Sequence, residues 1–244
     1  MARARPLIPG IAAAAPAAGA LAPPPRGHVG RAVYETLRTA VLDCTFLPGM
    51  ALSEQAVSEQ LHVSRAPVRE AFRQLATEGL LETLPQRGTF VARLSEARIG
   101  DAIFVREAIE CRAVGSAVKA PLAQRRTLVQ IVRRQAAASA QADYAAHLTA
   151  DEEFHHQILV LAGHPYAWGA LRLARTGMNR IRHLAIPAVG SDRIAIDHHR
   201  LVVDAIIAGD ARAASRHMRA HVQAPLNFLQ VIRRRHPEYF EDAG

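Results

Sequence analysis

Strand signals in this chain are confined to one short stretch. Leu80–Leu84 and Thr89–Ala92 are β-rich runs around the turn Pro85-Gln86-Arg87-Gly88, and read as a hairpin. After Leu94 no strand pattern returns. A chain of 244 residues with one hairpin and a 50% hydrophobic content must build its core from helices. The aromatic share of 5% and the abundance of alanine suit closely packed helices rather than a β-sandwich. The fold class expected is mainly α: a small unit carrying the hairpin, then an antiparallel all-α bundle.

Residue 94 is the expected boundary. Before it, Val29, Val33, Leu37 and Val41 recur at helical spacing, so residues 28–43 read as a helix that ends at the turn Leu47-Pro48-Gly49. Ser53 opens a short helix to Leu61, and His62-Val63 makes a tight turn. Ser64 is placed as N-cap of the next helix, its hydroxyl accepting an orphan backbone N–H, with Pro67 in the first turn. Val68, Ala71, Phe72 and Leu75 form that helix's buried stripe, and Gly79 stops it.

Beyond the boundary, helices are expected over 96–119, 125–145, 150–162, 167–185, 193–208 and 211–235. The breaks fall at Pro121, around 147–150, at Gly163-His164-Pro165, at 187–191 and at Gly209. Pro225 is expected to bend the last helix near His221. Two flanking segments stand apart. Residues 1–27 hold six of the fourteen prolines and no apolar periodicity, and read as a disordered basic arm. Residues 237–244 read as a tail.

With 30 Lys+Arg against 22 Asp+Glu, the formal net charge of +8 points to an anionic partner, nucleic acid first. No apolar run approaches the ~20 residues that a membrane helix needs. Two cysteines, Cys44 and Cys111, exclude a disulfide framework, and a cytoplasmic setting is expected.

Helix, turn, helix and hairpin is the order of a winged helix-turn-helix, whose second helix enters the major groove of double-stranded DNA. Arg65, Arg69 and Arg73 lie at i, i+4 and i+8, away from Phe72 and Leu75. A guanidinium fork can bond guanine O6 and N7 together. Gln55 and the wing residues Arg87 and Gly88 are placed to reach phosphate or the minor groove. As a stripe alone, the three arginines also fit a merely solvated face. The capped start, tight turn and wing favour DNA.

In the second half, Asp151 and His155 at i, i+4 share a helix face with Phe154, Ile158 and Ala162, so the pair looks inward. A buried carboxylate beside a buried imidazole needs compensation, and a divalent metal supplies it. The rival pair Glu152/His156 sits on a more outward face. His199 shares a face with Val202, Val203 and Ile206, and His221 lies near Met218 and Val222; His198 and His217 are adjacent decoys. Each histidine taken singly also fits a satisfied core residue. Glu107, Glu110 and Arg133-Arg134 read as solvated faces, and Tyr144 and Trp168 as packing residues.

Several strings are similar to a known family. Leu47-Pro48-Gly49, Leu52-Ser53-Glu54, Val63 through Ala71, Glu78-Gly79-Leu80 and Arg87-Gly88-Thr89-Phe90-Val91 resemble the GntR family of bacterial transcription regulators. The resemblance implies operator contacts from Ser64, Arg65, Arg69 and Gly88, with Gln55 at a contact position. His62 stands where the family has glycine, which places a left-handed backbone on a histidine, and Ala66 replaces a frequent threonine. Asp151 through His155, His199 through Ile206, Gly209-Asp210 and Met218 through His221 resemble the FCD effector domain of the FadR branch. That resemblance implies one divalent metal, Zn or Ni foremost, on Asp151, His155, His199 and His221. His198 occupies a position that is often glutamate, so the choice between His198 and His199 stays open, with Asp204 five residues on favouring His199.

The same resemblance implies a small carboxylate effector beside the metal, with Arg106 lining its pocket and Asn179 and Arg180 as further candidates. Arg106 fits equally well an ion pair with Glu107 or Glu110 at the surface. The expectation is a homodimeric, ligand-responsive regulator, a repressor, and not an enzyme. A metalloenzyme or a direct metal sensor using the Asp/His₃ set, and nonspecific DNA packaging, are the alternatives.

Overall fold

The computed structural model describes residues 29–241, apart from the side chains of Gly177, Pro187, Ala188 and Val189. The expected basic arm, residues 1–27, lies outside the described residues. Among the described residues, 29–94 joined by 238–241 form one compact unit, and Ser95–Pro237 form another.

In the first unit, α1 (Val29–Leu42) buries Val33, Leu37 and Val41, the four-residue spacing of its apolar stripe. β1 (Ala51–Leu52) follows the turn at Gly49, and α2 (Glu54–Gln60) starts where Ser53 Oγ accepts from the Ala56 N–H at 3.4 Å. His62 adopts φ 52°, so the turn into the next helix does use left-handed backbone at a histidine. α3 (Arg65–Thr77) buries Val68, Ala71, Phe72 and Leu75. Ser64 holds the N-cap position, but its side chain makes no capping bond, contrary to the expectation. With ψ at 162° the residue is extended, and its hydroxyl is left for another partner.

β2 (Leu81–Leu84) and β3 (Gly88–Val91) form the hairpin, and β1 adds to the free edge of β3, giving a three-stranded antiparallel sheet in the order β1-β3-β2. The third strand has only two residues, too few to leave an alternating pattern in the sequence. The stretch expected to be a tail instead belongs to this unit. After a 3-10 turn over Pro237–Tyr239, Phe240 pairs with Leu94 in a parallel bridge and is 3% exposed. A single aromatic residue carries no periodicity to announce that burial.

The second unit is all helix. It comprises α4 (Glu96–Ala117), α5 (Leu122–Arg125), α6 (Thr127–Ala140), α7 (Tyr144–Leu161), α8 (Trp168–Val189), α9 (Ser191–Ala208), α10 (Ala211–Gln223) and α11 (Pro225–Arg235). α4 packs on α7, α8 and α10, while α6 packs on α7 and α9. Among the described residues, no helix is long and apolar enough to cross a membrane.

Three breaks differ from expectation. The chain turns at Ala142 (φ 55°), and Asp143 caps α7 by accepting from the Ala146 N–H at 3.0 Å. Residues 147–150 are therefore helical, and His147, Asp151 and His155 share one stripe. α8 continues through residue 187 to Val189 and stops at Gly190, whose φ of 62° suits glycine. Pro225 does not bend one helix but begins a new one, since it lacks the N–H that a continuing helix would use.

Leu75 has no solvent exposure and lies within the apolar cluster of the first unit. Leu75→Ala is expected to destabilise that unit by about 2–5 kcal/mol, read from chemical denaturation. A loss below about 1 kcal/mol would contradict the packing described.

Candidate metal centre and nucleic-acid interface

Three helices of the bundle turn four polar side chains into its apolar interior. α7 supplies Asp151 and His155, α9 His199, and α10 His221; all four are buried. Their ligand-type atoms lie within 4.8 Å of one another. His221 Nε2 is 3.1 Å from His155 Nε2 and 3.3 Å from His199 Nε2. The Asp151 carboxylate stands 3.6 Å from His199 Nε2 and 3.9 Å from His155 Nε2. Metal–nitrogen bonds of about 2.0–2.1 Å place neighbouring nitrogens about 3.0 Å apart in an octahedron and about 3.4 Å apart in a tetrahedron. The two observed nitrogen separations fall in that interval, so the donor set fits a single divalent ion in type and spacing.

Partners behind the imidazoles fix which nitrogen faces the centre. His155 turns Nδ1 to Glu110 Oε2, and His199 Nδ1 lies 2.7 Å from Gln135 Oε1. A carboxylate or amide oxygen at Nδ1 holds the proton there and leaves the Nε2 lone pair free. Gln135 also reaches Asp151 Oδ1 through its Nε2, at 3.4 Å. Arg106 donates from Nε to Glu110 Oε1 at 2.7 Å. Asp151 receives Arg175 at 2.5 Å and both terminal nitrogens of Arg182.

Burial lowers the basicity of every imidazole in the cluster. It pushes His155 down to about 4, helped by Arg175, and holds His199 and His221 well below their ordinary value. These rings are neutral at physiological pH, which is the form a metal takes. For Asp151, burial alone would favour the protonated acid, but Arg182 and Arg175 outweigh it and keep the carboxylate ionised. Glu110 likewise overcomes burial through Arg106, His155 and Arg175.

A cavity of about 30 Å³, roughly the room of one water, adjoins the cluster at His221. Its polar lining includes Arg106, Arg182, His147, Asp192 and His198. Nη2 of Arg106 and Nδ1 of His147 are buried without a hydrogen-bond partner. Arg106 is 1% exposed, so its pairing with Glu110 is a buried one, and Glu110 is no solvated face. His198 lines the cavity, while His199 stands in the cluster. Asn179 instead donates to Glu152 Oε1 at 3.1 Å, and neither it nor the buried Arg180 lines this cavity.

Sequence reasoning missed Glu110, Gln135, His147, Arg175 and Arg182. The two arginines are seven residues apart on α8, on the stripe of Leu171, Met178 and Ile181, so helical periodicity marked them as inward. His147 was hidden by the misplaced break before α7.

In the first unit, Ser64, Arg65, Arg69 and Arg73 are exposed at the start and along the outer face of α3, and Arg87 and Gly88 are exposed at the hairpin tip. Arg65 stands 3.9 Å from Glu54, and Arg73 is 3.4 Å from Glu70. Such exposed pairs are weak and exchange readily for phosphate or base edges. Gln55 Nε2 donates to Glu59 at 3.0 Å on the exposed side of α2.

Residues 30–91 match the bacterial regulatory proteins of the gntR family, and residues 101–224 match the FCD domain. The chain belongs to the GntR family and carries an FCD domain. It is 34% identical over 212 residues to an uncharacterized HTH-type transcriptional regulator in an unstable DNA locus of Streptomyces ambofaciens, covering 86% of this chain and 89% of that one. It is 30% identical over 222 residues to the HTH-type transcriptional repressor RspR of Escherichia coli K12, covering 89% and 96%. Among solved structures, a GntR transcriptional regulator from Rhodococcus sp. RHA1 superposes with TM-score 0.71 at 25% identity, covering 82% of this chain and 97% of that one. This GntR/FCD chain is thus a DNA-binding transcriptional regulator and not an enzyme.

An imidazole in an unfolded chain takes up a proton near pH 6.5, whereas His155 in the fold refuses it until about pH 4. Between those values the unfolded state binds more protons, so stability falls as pH falls. The melting temperature of metal-stripped protein should therefore drop from pH 7 to pH 5. A flat profile would contradict the burial of neutral imidazoles.

Proposed function

We propose that this GntR/FCD regulator is a homodimeric repressor that senses a small carboxylate through a divalent ion in its helical bundle. Asp151, His155, His199 and His221 would hold the ion, with Zn or Ni the leading identities. The observation that carries the reading is the convergence of three Nε2 atoms and one carboxylate beside a cavity into which a buried arginine brings an unpartnered nitrogen.

Charge supports an anionic ligand. Within the cluster's own ion-pair network, Arg106, Arg175 and Arg182 face Glu110 and Asp151, a surplus of one positive charge before any metal is added, while the cavity lining also carries the Asp192 carboxylate. A divalent ion enlarges that surplus, and an anion offsets it. When bound, the ion supplies coordination positions that a carboxylate can fill. Arg106 presents Nη2 to the same carboxylate and is itself fixed by Glu110, so the pocket is organised in advance.

On the DNA side, Arg65, Arg69 and Arg73 read the major groove from α3, Ser64 and Gln55 reach phosphate, and Arg87 and Gly88 enter beside the wing. Two subunits would set their recognition helices about 34 Å apart on a pseudo-palindromic operator. Release follows if the effector binds one arrangement of the bundle better than the other. Operator affinity that tracks metal concentration with no organic ligand present would instead mark a direct metal sensor.

Purified protein is expected to contain about one divalent ion per chain by elemental analysis, and His199→Ala to lose it while keeping operator binding. An ion-free native protein that regains no metal would sink the metal reading. Arg69→Ala should weaken binding to the operator by about 5- to 150-fold, from the ~1–3 kcal/mol of a lost bidentate base contact, and relax specificity at one position. A uniform loss across all sequences with a shallower salt slope would make Arg69 a phosphate contact instead.

A further inference from the structure

Phe104 on α4 is 75% exposed, a large aromatic ring left mostly uncovered by its own subunit. The helix buries Ile103, Arg106 and Glu110 on its other side and packs there against α7, α8 and α10. Its outward side sets Gly100, Phe104 and Ala108 in one row at four-residue spacing, with Val105 and Ile109 half-buried beside it. A Cβ added at Gly100 would touch nothing, so there is room beside the ring for another helix to approach. Asp101 and Arg112 lie on the same side, about three turns apart, and both are exposed. Among the described residues neither has an ion-pair partner, whereas Glu107 and Glu96 on the same helix hold Arg219 and Arg233.

An acid and a base at opposite ends of one apolar stripe make that stripe its own complement when it is inverted. Two copies of α4 laid antiparallel with Asp101 opposite Arg112 bring Phe104 opposite Ile109 and Val105 opposite Ala108. A twofold axis then repeats every pair, which is the isologous form of a C2 contact. Parallel alignment would set like charges against each other, and such contacts are strongly disfavoured. We propose that the outward face of α4 is the surface on which a second copy of this chain docks, antiparallel, with Phe104 as its apolar anchor and two Asp101–Arg112 pairs at its rim. This rests on the homodimer reading given above and deepens it by assigning the face and the register. A seated aromatic ring carries a large share of the energy of such a contact, while rim charges mainly fix alignment and partner choice.

The test follows the mass of the purified full-length protein through a dilution series by analytical ultracentrifugation, with fluorescence detection at the lowest concentrations. Phe104→Ala is expected to raise the dimer dissociation constant by at least about 30-fold, the scale of an interface hot spot. Its circular dichroism spectrum should stay unchanged, since the ring is mostly exposed in its own subunit. Asp101→Arg alone and Arg112→Asp alone each set like charges opposite one another twice, and each should weaken the dimer by at least about fivefold. Mixed in equal amounts, the two variants regain opposite charges at both positions, so they should form a heterodimer within about threefold of the unmodified affinity. A role of these residues inside one subunit predicts no such recovery. Weakening by Phe104→Ala without recovery on mixing would overturn the antiparallel register. A dimer that withstands Phe104→Ala and both charge reversals would overturn the assignment of this face while the homodimer reading stands. A chain that is monomeric at every concentration would remove both.

Discussion

Inside the helical bundle, two carboxylates, three guanidiniums and three imidazoles are removed from water together. None of these groups is tolerable there alone, because an unpaired buried charge costs several kcal/mol even after relaxation. Asp151 is ionised only because Arg175 and Arg182 hold it, and Glu110 only because Arg106 and His155 do. Most of these groups thus depend on a partner from another helix: α4 supplies Glu110, itself held by Arg106 on the same helix, α6 supplies Gln135, and α8 both remaining arginines. The helices must keep their registers for the network to close, so the polar cluster specifies the bundle more narrowly than its apolar residues do.

In the proposed reading, that dependence would let the bundle respond. A ligand or ion at the centre alters forces on α7, α9 and α10 directly, and on α4 and α8 through Glu110, Arg106, Arg175 and Arg182. An interior held by interlocked ion pairs has few intermediate arrangements, which favours a discrete change over a graded one. The DNA-reading unit is built differently. It has an apolar core with its charged side chains on the outside, as suits a surface that trades weak ion pairs for phosphate and base edges.

Much of this was legible in the sequence, where local rules suffice. The apolar stripes of α1 and α3, the cap at Ser53, the left-handed turn at His62 and the hairpin are set by neighbouring residues, and the structure has them at or within a few residues of their expected places. Inward pairing of Asp151 and His155 follows from helical geometry, and His199 and His221 stand on apolar faces of their own helices. Residues whose role depends on another helix were missed. Glu110 looks like a surface glutamate until His155 is placed against it, and Gln135 has no local pattern that separates it from a solvated glutamine. Phe240 is another case, since its burial depends on Leu94, far away in the chain.

The sequence alone therefore determined a winged helix-turn-helix with an exposed arginine face and an all-helical partner domain carrying inward acid and imidazole side chains, because caps, breakers and periodicity act over a few residues. Only the tertiary structure decided which polar groups meet. It brought four side chains from three helices within 4.8 Å, with His199 rather than His198 in that cluster, set Arg175 and Arg182 against Asp151, and left a small cavity beside His221. Those outcomes depend on how helices far apart in the chain pack and rotate against one another, which no local pattern encodes.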